Sequence, residues 1–171
     1  MSFLIVSIFS YLLGSIPFGL LFSKIFGLGD IRNVGSGNIG ATNVLRTGNK
    51  VAAVLTLFFD IFKGALALMI TKNFYIDLIF LSFIAVYLGH IFPIWLKFKG
   101  GKGVATFIGG LIIINYKICI IFLISWALIT KIFKISSLSA LIAFFIIFIY
   151  SVIFEQKDFM ILMSFFLVIN F

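Results

Sequence analysis

Residues that carry chemistry are scarce in this sequence. Among 171 residues there is one cysteine, Cys119, and one histidine, His90. A single cysteine excludes a disulfide within the chain. So few ligands also exclude a Cys/His zinc centre, which needs about four. Charge is equally thin: Asp, Glu, Lys and Arg make up 11% of the chain, where soluble domains carry about 25%. Only five residues are acidic. An ordinary solvated surface is excluded.

Apolar side chains fill the space. They are 63% of the chain, Phe alone numbers 24, and the mean hydropathy is +1.31. A soluble domain holds about 45–50%. The composition is that of an integral membrane protein, and the length is ordinarily one domain. The net charge is +8, from 13 basic against 5 acidic residues. In a membrane protein that excess records orientation and anionic headgroups, and no nucleic-acid partner is expected. Cys119 lies in an apolar run and reads as a buried small residue. The N-terminal "MSFLIVSIFSYLLGSIPFGLLFSK" has no basic leader, and its apolar run is too long for a signal peptide. It reads as a retained span.

A helix needs about 20 apolar residues to cross the hydrocarbon core. Candidate spans are 2–23, 51–70, 76–92, 137–154 and 159–171. Between 104 and 130, Asn115, Tyr116 and Lys117 divide an apolar stretch into runs of 11 and 13 residues. These are two short helices or one long tilted helix. With the 24–50 loop inside and two short helices, nine basic residues face in: Lys24, Arg32, Arg46, Lys50, Lys97, Lys99, Lys102, Lys131 and Lys134. Three, Lys72, Lys117 and Lys157, face out. The single-helix alternative gives eight against three. Either way the N-terminus is expected outside. Asp60 and Lys63 fall inside a span, three residues apart and so on one helix face. They read as a mutually neutralising pair or as the inner support of a site, because a lone charge at mid-membrane costs roughly 2.5–3.5 kcal/mol.

Two polar loops interrupt the apolar runs. The first, "RNVGSGNIGATNVLR", holds Gly35, Gly37 and Gly40 in a G-x-G-x-x-G pattern. It is not a dinucleotide fingerprint, since no strand precedes it. Glycine still lets backbone N–H groups converge on an anion. Thr42 and Asn43 are N-cap types just before a rise into a span, and Arg46 offers a planar fork suited to phosphate. Ser36 to Arg46 therefore resembles a phosphate cradle, with a flexible inter-helix loop as the plain alternative. The second loop, "GHIFPIWLKFKGGKGVAT", has Pro93 to end a helix, Trp95 as an interface anchor, and Gly100, Gly101, Lys102 and Gly103 directly before an apolar helix. It is not a Walker sequence: no Ser or Thr follows Lys102. His90 sits at a helix end. Both loops fall on one side of the membrane. Two anion sites at one face suit a reaction between phosphorylated substrates, at least one of them lipidic. A third stretch, "KISSLSA", holds Ser136, Ser137 and Ser139 and reads as a cap and turn cluster or a further polar contact.

These loops resemble, nearly residue for residue, the first two signature motifs of the bacterial acyl-phosphate:glycerol-3-phosphate acyltransferases of the PlsY type. "GSIPFG" (14–19) and "FFDIFKG" (58–64) are also similar, and the likeness runs in order along almost the whole chain. The resemblance implies an all-α integral membrane bundle of about seven helices, some short, with the N-terminus outside and the site facing the cytoplasm of the inner membrane. It implies transfer of a fatty acyl group from acyl phosphate to the sn-1 hydroxyl of glycerol 3-phosphate, giving lysophosphatidic acid and phosphate in phospholipid synthesis. No cofactor or metal takes part. Carried over by position, Ser36, Arg46 and Lys102 are the catalytic residues. Gly37, Asn38, Gly40, Ala41, Thr42, Asn43, His90, Gly100, Gly101, Gly103 and Thr106 hold substrate or phosphate, with Ser136 and Ser139 as looser matches. The family also carries a C-terminal His-Arg-x-Asn-Ile motif. This sequence stops at "LVINF" and has no second histidine. The expectation is one acyltransferase domain over 1–171 that is truncated there or lacks part of its substrate site.

Other classes fit less well. Glycerolipid acyltransferases with a His-x4-Asp pair need Asp five residues after His90, where Trp95 stands. A small anion transporter needs basic residues at mid-membrane, whereas these loops lie at one face. An inactive copy with a structural role is the remaining alternative.

Overall fold

A computed structural model describes residues 1–154 and 157–170. They form two compact units, divided between Ile114 and Asn115. The first holds α1 (Ser2–Gly14), α2 (Phe18–Ile25), α3 (Ala41–Leu45), α4 (Lys50–Phe74), α5 (Ile79–Ile91) and α6 (Val104–Ile114). The second holds α7 (Tyr116–Phe133), α8 (Ser136–Ile153) and α9 (Lys157–Asn170). Among the described residues, five helical segments are long and apolar enough to cross a membrane: Ser2–Ile25, Lys50–Phe74, Ile76–Leu96, Tyr116–Phe133 and Ser136–Ile153. Large apolar side chains such as Val54, Phe58, Ile132 and Phe145 are exposed on them.

The expected span over 2–23 is interrupted. α1 ends at Gly14 and α2 begins at Phe18. Pro17 has no N–H to continue the ladder, and its ring disfavours helical backbone at Ile16. The break releases the Ile16 carbonyl, which accepts a hydrogen bond from Lys63 Nζ at 2.8 Å. Thr42 and Asn43 are not caps. They lie inside the short α3, and the cap of α4 is Asn49, whose side chain accepts from the Ala52 amide at 2.9 Å. The 104–130 stretch is two helices. The Asn115 side chain accepts from the Lys117 and Ile118 amides and starts α7 afresh. α7 runs 18 residues, past the expected end, until Lys134 turns left-handed at φ 58°. Ser136 opens α8, whose cap position is Ile135.

In the first unit α4 packs on α6, and α1 on α5. A Cβ at Gly64 would strike the Thr106 carbonyl, and one at Gly109 the Ile61 carbonyl, so small residues let α4 and α6 approach backbone to backbone. In the second unit α8 packs between α7 and α9. Buried rings of Phe122, Phe144 and Phe166 meet there, with centroids 5.2 Å and 6.4 Å apart along the series.

Candidate active site

The first loop is built around one buried side chain. Asn43 donates from Nδ2 to the Ile31 carbonyl at 2.8 Å. Its Oδ1 accepts from the Ser36 amide at 3.1 Å, the Ser36 hydroxyl at 3.4 Å and Arg46 Nη1 at 3.4 Å. An amide suits this post because it donates and accepts at once. Gly35 turns at φ +55° directly against Arg46 and Asn43, where a Cβ would come within 2.6 Å of Arg46 Cδ, 2.7 Å of Asn43 Oδ1 and 2.8 Å of Arg46 Nη1. The turn before it is closed by Asp30, which accepts from the Arg32 amide and pairs with its guanidinium at 2.7 Å. Those contacts hold the exposed Asp30 carboxyl down at about 2 and raise Arg32 above its ordinary value.

Glycine here serves the turn more than the ligand. The amides of Ser36, Gly37 and Gly40 already donate to Asn43 Oδ1, the Val34 carbonyl and Asn38 Oδ1. These three are therefore not free to cradle an anion, contrary to the expectation from composition. Ser36, Thr42 and Arg46 are exposed, while Ile31, Ile39, Val44, Ala52 and Ala53 form the apolar floor beneath them.

The second loop folds back on its own helix. The Gly100 amide donates to the Ile91 carbonyl at 2.9 Å, and the Gly101 amide to the His90 carbonyl at 3.1 Å. A Cβ at Gly101 would strike His90 Nε2. Gly103 turns at φ +74° against the Tyr87 ring, and the Tyr87 hydroxyl donates to the Lys102 carbonyl at 3.3 Å. Lys102 is thus exposed between two buried glycines, each pressed on a ring. Trp95 also ties the loop internally: its indole N–H donates to Ser15 Oγ at 2.8 Å. Leu96 packs against the floor of the first loop, so both loops root on one apolar core.

His90 and Thr106 are buried, and Thr106 Oγ1 lies 3.2 Å from His90 Nδ1. The expected Asp60–Lys63 pair is present at 2.8 Å, with both side chains almost fully buried. Asp60 Oδ1 also lies 3.6 Å from His90 Nδ1, a link across 30 positions that the sequence does not signal. Ser136 and Ser139 belong to the second unit, in the first turn of α8, where the Ser139 hydroxyl donates to the Ile135 carbonyl. Among the described residues no group of three or more His, Cys, Asp or Glu side chains could hold a metal ion.

The exposed groups of the two loops include the hydroxyls of Ser36 and Thr42, the Arg46 guanidinium and the Lys102 ammonium, which is equipment for binding phosphate. Residues 4–171 match the glycerol-3-phosphate acyltransferase family. A glycerol-3-phosphate acyltransferase of Pelagibacter ubique is 52% identical over 158 residues, covering 92% of this chain and 83% of its own length. The enzyme of that name from Ehrlichia canis is 53% identical over 140 residues, 81% of this chain and 73% of its own. Two crystal structures of PlsY (YgiH), an integral membrane glycerol 3-phosphate acyltransferase, each align with 99% of this chain. The glycerol 3-phosphate form is 35% identical over 88% of its chain with a TM-score of 0.87, and the lysophosphatidic acid form 33% over 86% with 0.88. With its helical, multi-pass architecture and both polar loops in place, the chain belongs to the glycerol-3-phosphate acyltransferase family.

Proposed function

We propose that this chain transfers a fatty acyl group from acyl phosphate to the sn-1 hydroxyl of glycerol 3-phosphate, yielding lysophosphatidic acid and phosphate. The observation that carries the reading is the pair of exposed cations, Arg46 and Lys102, on two loops rooted in one apolar core. The family supports it, since solved relatives are described in glycerol 3-phosphate and lysophosphatidic acid forms. Its match over 4–171 supports one acyltransferase domain.

The chemistry asks little of the protein. The sn-1 oxygen attacks the carbonyl carbon of the mixed anhydride, the bond from that carbon to the phosphate oxygen breaks, and phosphate leaves. The hydroxyl proton passes to a phosphate oxygen of the substrates. Buried His90 is not called on as a base. Arg46 grips phosphate as a fork and Lys102 as a point charge, neutralising charge that grows on the leaving group. Ser36 orients the attacking glycerol. Thr42 supplies a further polar contact. The basic residues favour an outside N-terminus and a site on the cytoplasmic face of the inner membrane.

Purified protein given acyl phosphate and glycerol 3-phosphate releases phosphate and lysophosphatidate in equal amounts, and acyl-CoA does not substitute as donor. Arg46→Ala and Lys102→Ala each lower turnover by roughly a hundredfold to a thousandfold without unfolding the helices. Turnover at the unsubstituted rate in both variants overturns the assignment.

A further inference from the structure

The most deeply buried charges of the first unit lie behind the second loop, and the reaction above uses none of them. Lys63 is satisfied three times over: by Asp60 at 2.8 Å, by the Ile16 carbonyl at 2.8 Å and by the Phe18 ring at 5.6 Å. Asp60 is not. Its Oδ1 makes the close ionic contact with Lys63 but receives no well-directed hydrogen bond. A carboxylate present only to neutralise Lys63 has no need of a third group, yet Oδ1 faces His90 Nδ1 at 3.6 Å. That is a charge contact and not a hydrogen bond. The Thr106 hydroxyl flanks the same nitrogen at 3.2 Å. A nitrogen set beside a carboxylate holds its proton there, since a lone pair pointed at the anion is repelled. The opposite edge of the ring, Nε2, lies against Gly101, whose amide donates to the His90 carbonyl. The next residue is Lys102.

We propose that Asp60 is a positioning residue for Lys102: it fixes the His90 ring, and the ring sets the Gly100–Gly103 turn that carries the lysine. The inference rests on the reading of Lys102 as a substrate-phosphate ligand. Asp60 touches neither substrate, and its influence passes through His90 and the backbone of Gly101. A small displacement of a charged group at a reacting centre is costly, about a hundredfold for 1 Å.

The test is the double variant Asp60→Asn, Lys63→Met. Removing both charges together leaves no lone charge in the membrane interior. Thermal stability in detergent is expected to stay close to that of the unsubstituted protein. The expected kcat falls roughly tenfold to a hundredfold, with a smaller change in KM for glycerol 3-phosphate. Unsubstituted kcat in a folded double variant overturns the proposal and leaves the pair as a neutralised charge. If that same variant is active while Lys102→Ala is not, only the positioning role is lost. If Lys102→Ala is fully active, the reading beneath it fails. A second measurement needs no variant. His90 is the only histidine, so histidine-selective 15N labelling gives one pair of ring signals. A proton on Nδ1 is expected, and the tautomer protonated only on Nε2 overturns the proposal.

Discussion

Gly35→Ala adds one methyl group to the loop that carries Arg46. Its position would lie 2.6 Å from Arg46 Cδ, 2.7 Å from Asn43 Oδ1 and 2.8 Å from Arg46 Nη1, where ordinary contact begins near 3.4 Å, so the guanidinium and the amide that holds it are pushed together. The arginine side chain must therefore retreat by about 0.8 Å, the difference between 3.4 and 2.6 Å. If a 1 Å misplacement costs about a hundredfold, this one lowers kcat/KM for glycerol 3-phosphate by roughly thirtyfold to a hundredfold. Alanine at φ +55° also carries left-handed backbone strain of roughly 1–2 kcal/mol. Gly48→Ala separates the two effects. It too has a positive φ, +87°, but nothing lies within 4 Å of its added Cβ. It bears the strain without the push and is expected to turn over near the unsubstituted rate. Phosphate release and lysophosphatidate formation are measured for both, with thermal stability alongside. Equal losses in the two variants would refute the reasoning, because strain and not the guanidinium would then be responsible.

Gly101→Ala drives a methyl into His90 Nε2 and is expected to lower kcat while the helices persist by circular dichroism. Asn115→Ala removes the acceptor for two amides at the start of α7, costing about 1 kcal/mol in stability, read as a lower thermal midpoint. Asp30 tests acid behaviour. Its folded value of about 2 lies below its ordinary 3.8, so its contribution is present above 3.8 and fades as pH falls towards 2. Faster amide exchange at Arg32, corrected for the intrinsic rate, is expected across that window and not above it.

Much of the fold was legible because membrane helices are written in length and hydropathy. The polar triplet 115–117 marked the division into α6 and α7, and Asn115 is the physical reason for it. The Asp60–Lys63 pair followed from helical spacing. The break at 15–17 leaves little trace in hydropathy, because the apolar neighbours of Pro17 form one nearly continuous run. The cap of α4 is ambiguous in the sequence for another reason: Thr42, Asn43 and Asn49 are all competent caps within a few residues, and only folding selects Asn49. Asn43 in a glycine-rich loop reads as a cap or a phosphate contact, yet it is the buried tie of that loop. Its role depends on Ile31, twelve residues away, and the Asp60–His90 contact depends on packing between α4 and the end of α5. Such links are tertiary and leave no local pattern.

Sided labelling tests most directly the claim that both loops serve one phosphate site. In a Cys119→Ala background, single cysteines are introduced by Leu45→Cys beside Arg46 and by Lys99→Cys near Lys102, both at exposed positions. Each variant is placed in vesicles of known orientation and treated with a membrane-impermeant maleimide. Both cysteines should react from the cytoplasmic side only, and glycerol 3-phosphate should slow both reactions. Labelling from opposite sides, or protection of one position alone, would contradict a shared site.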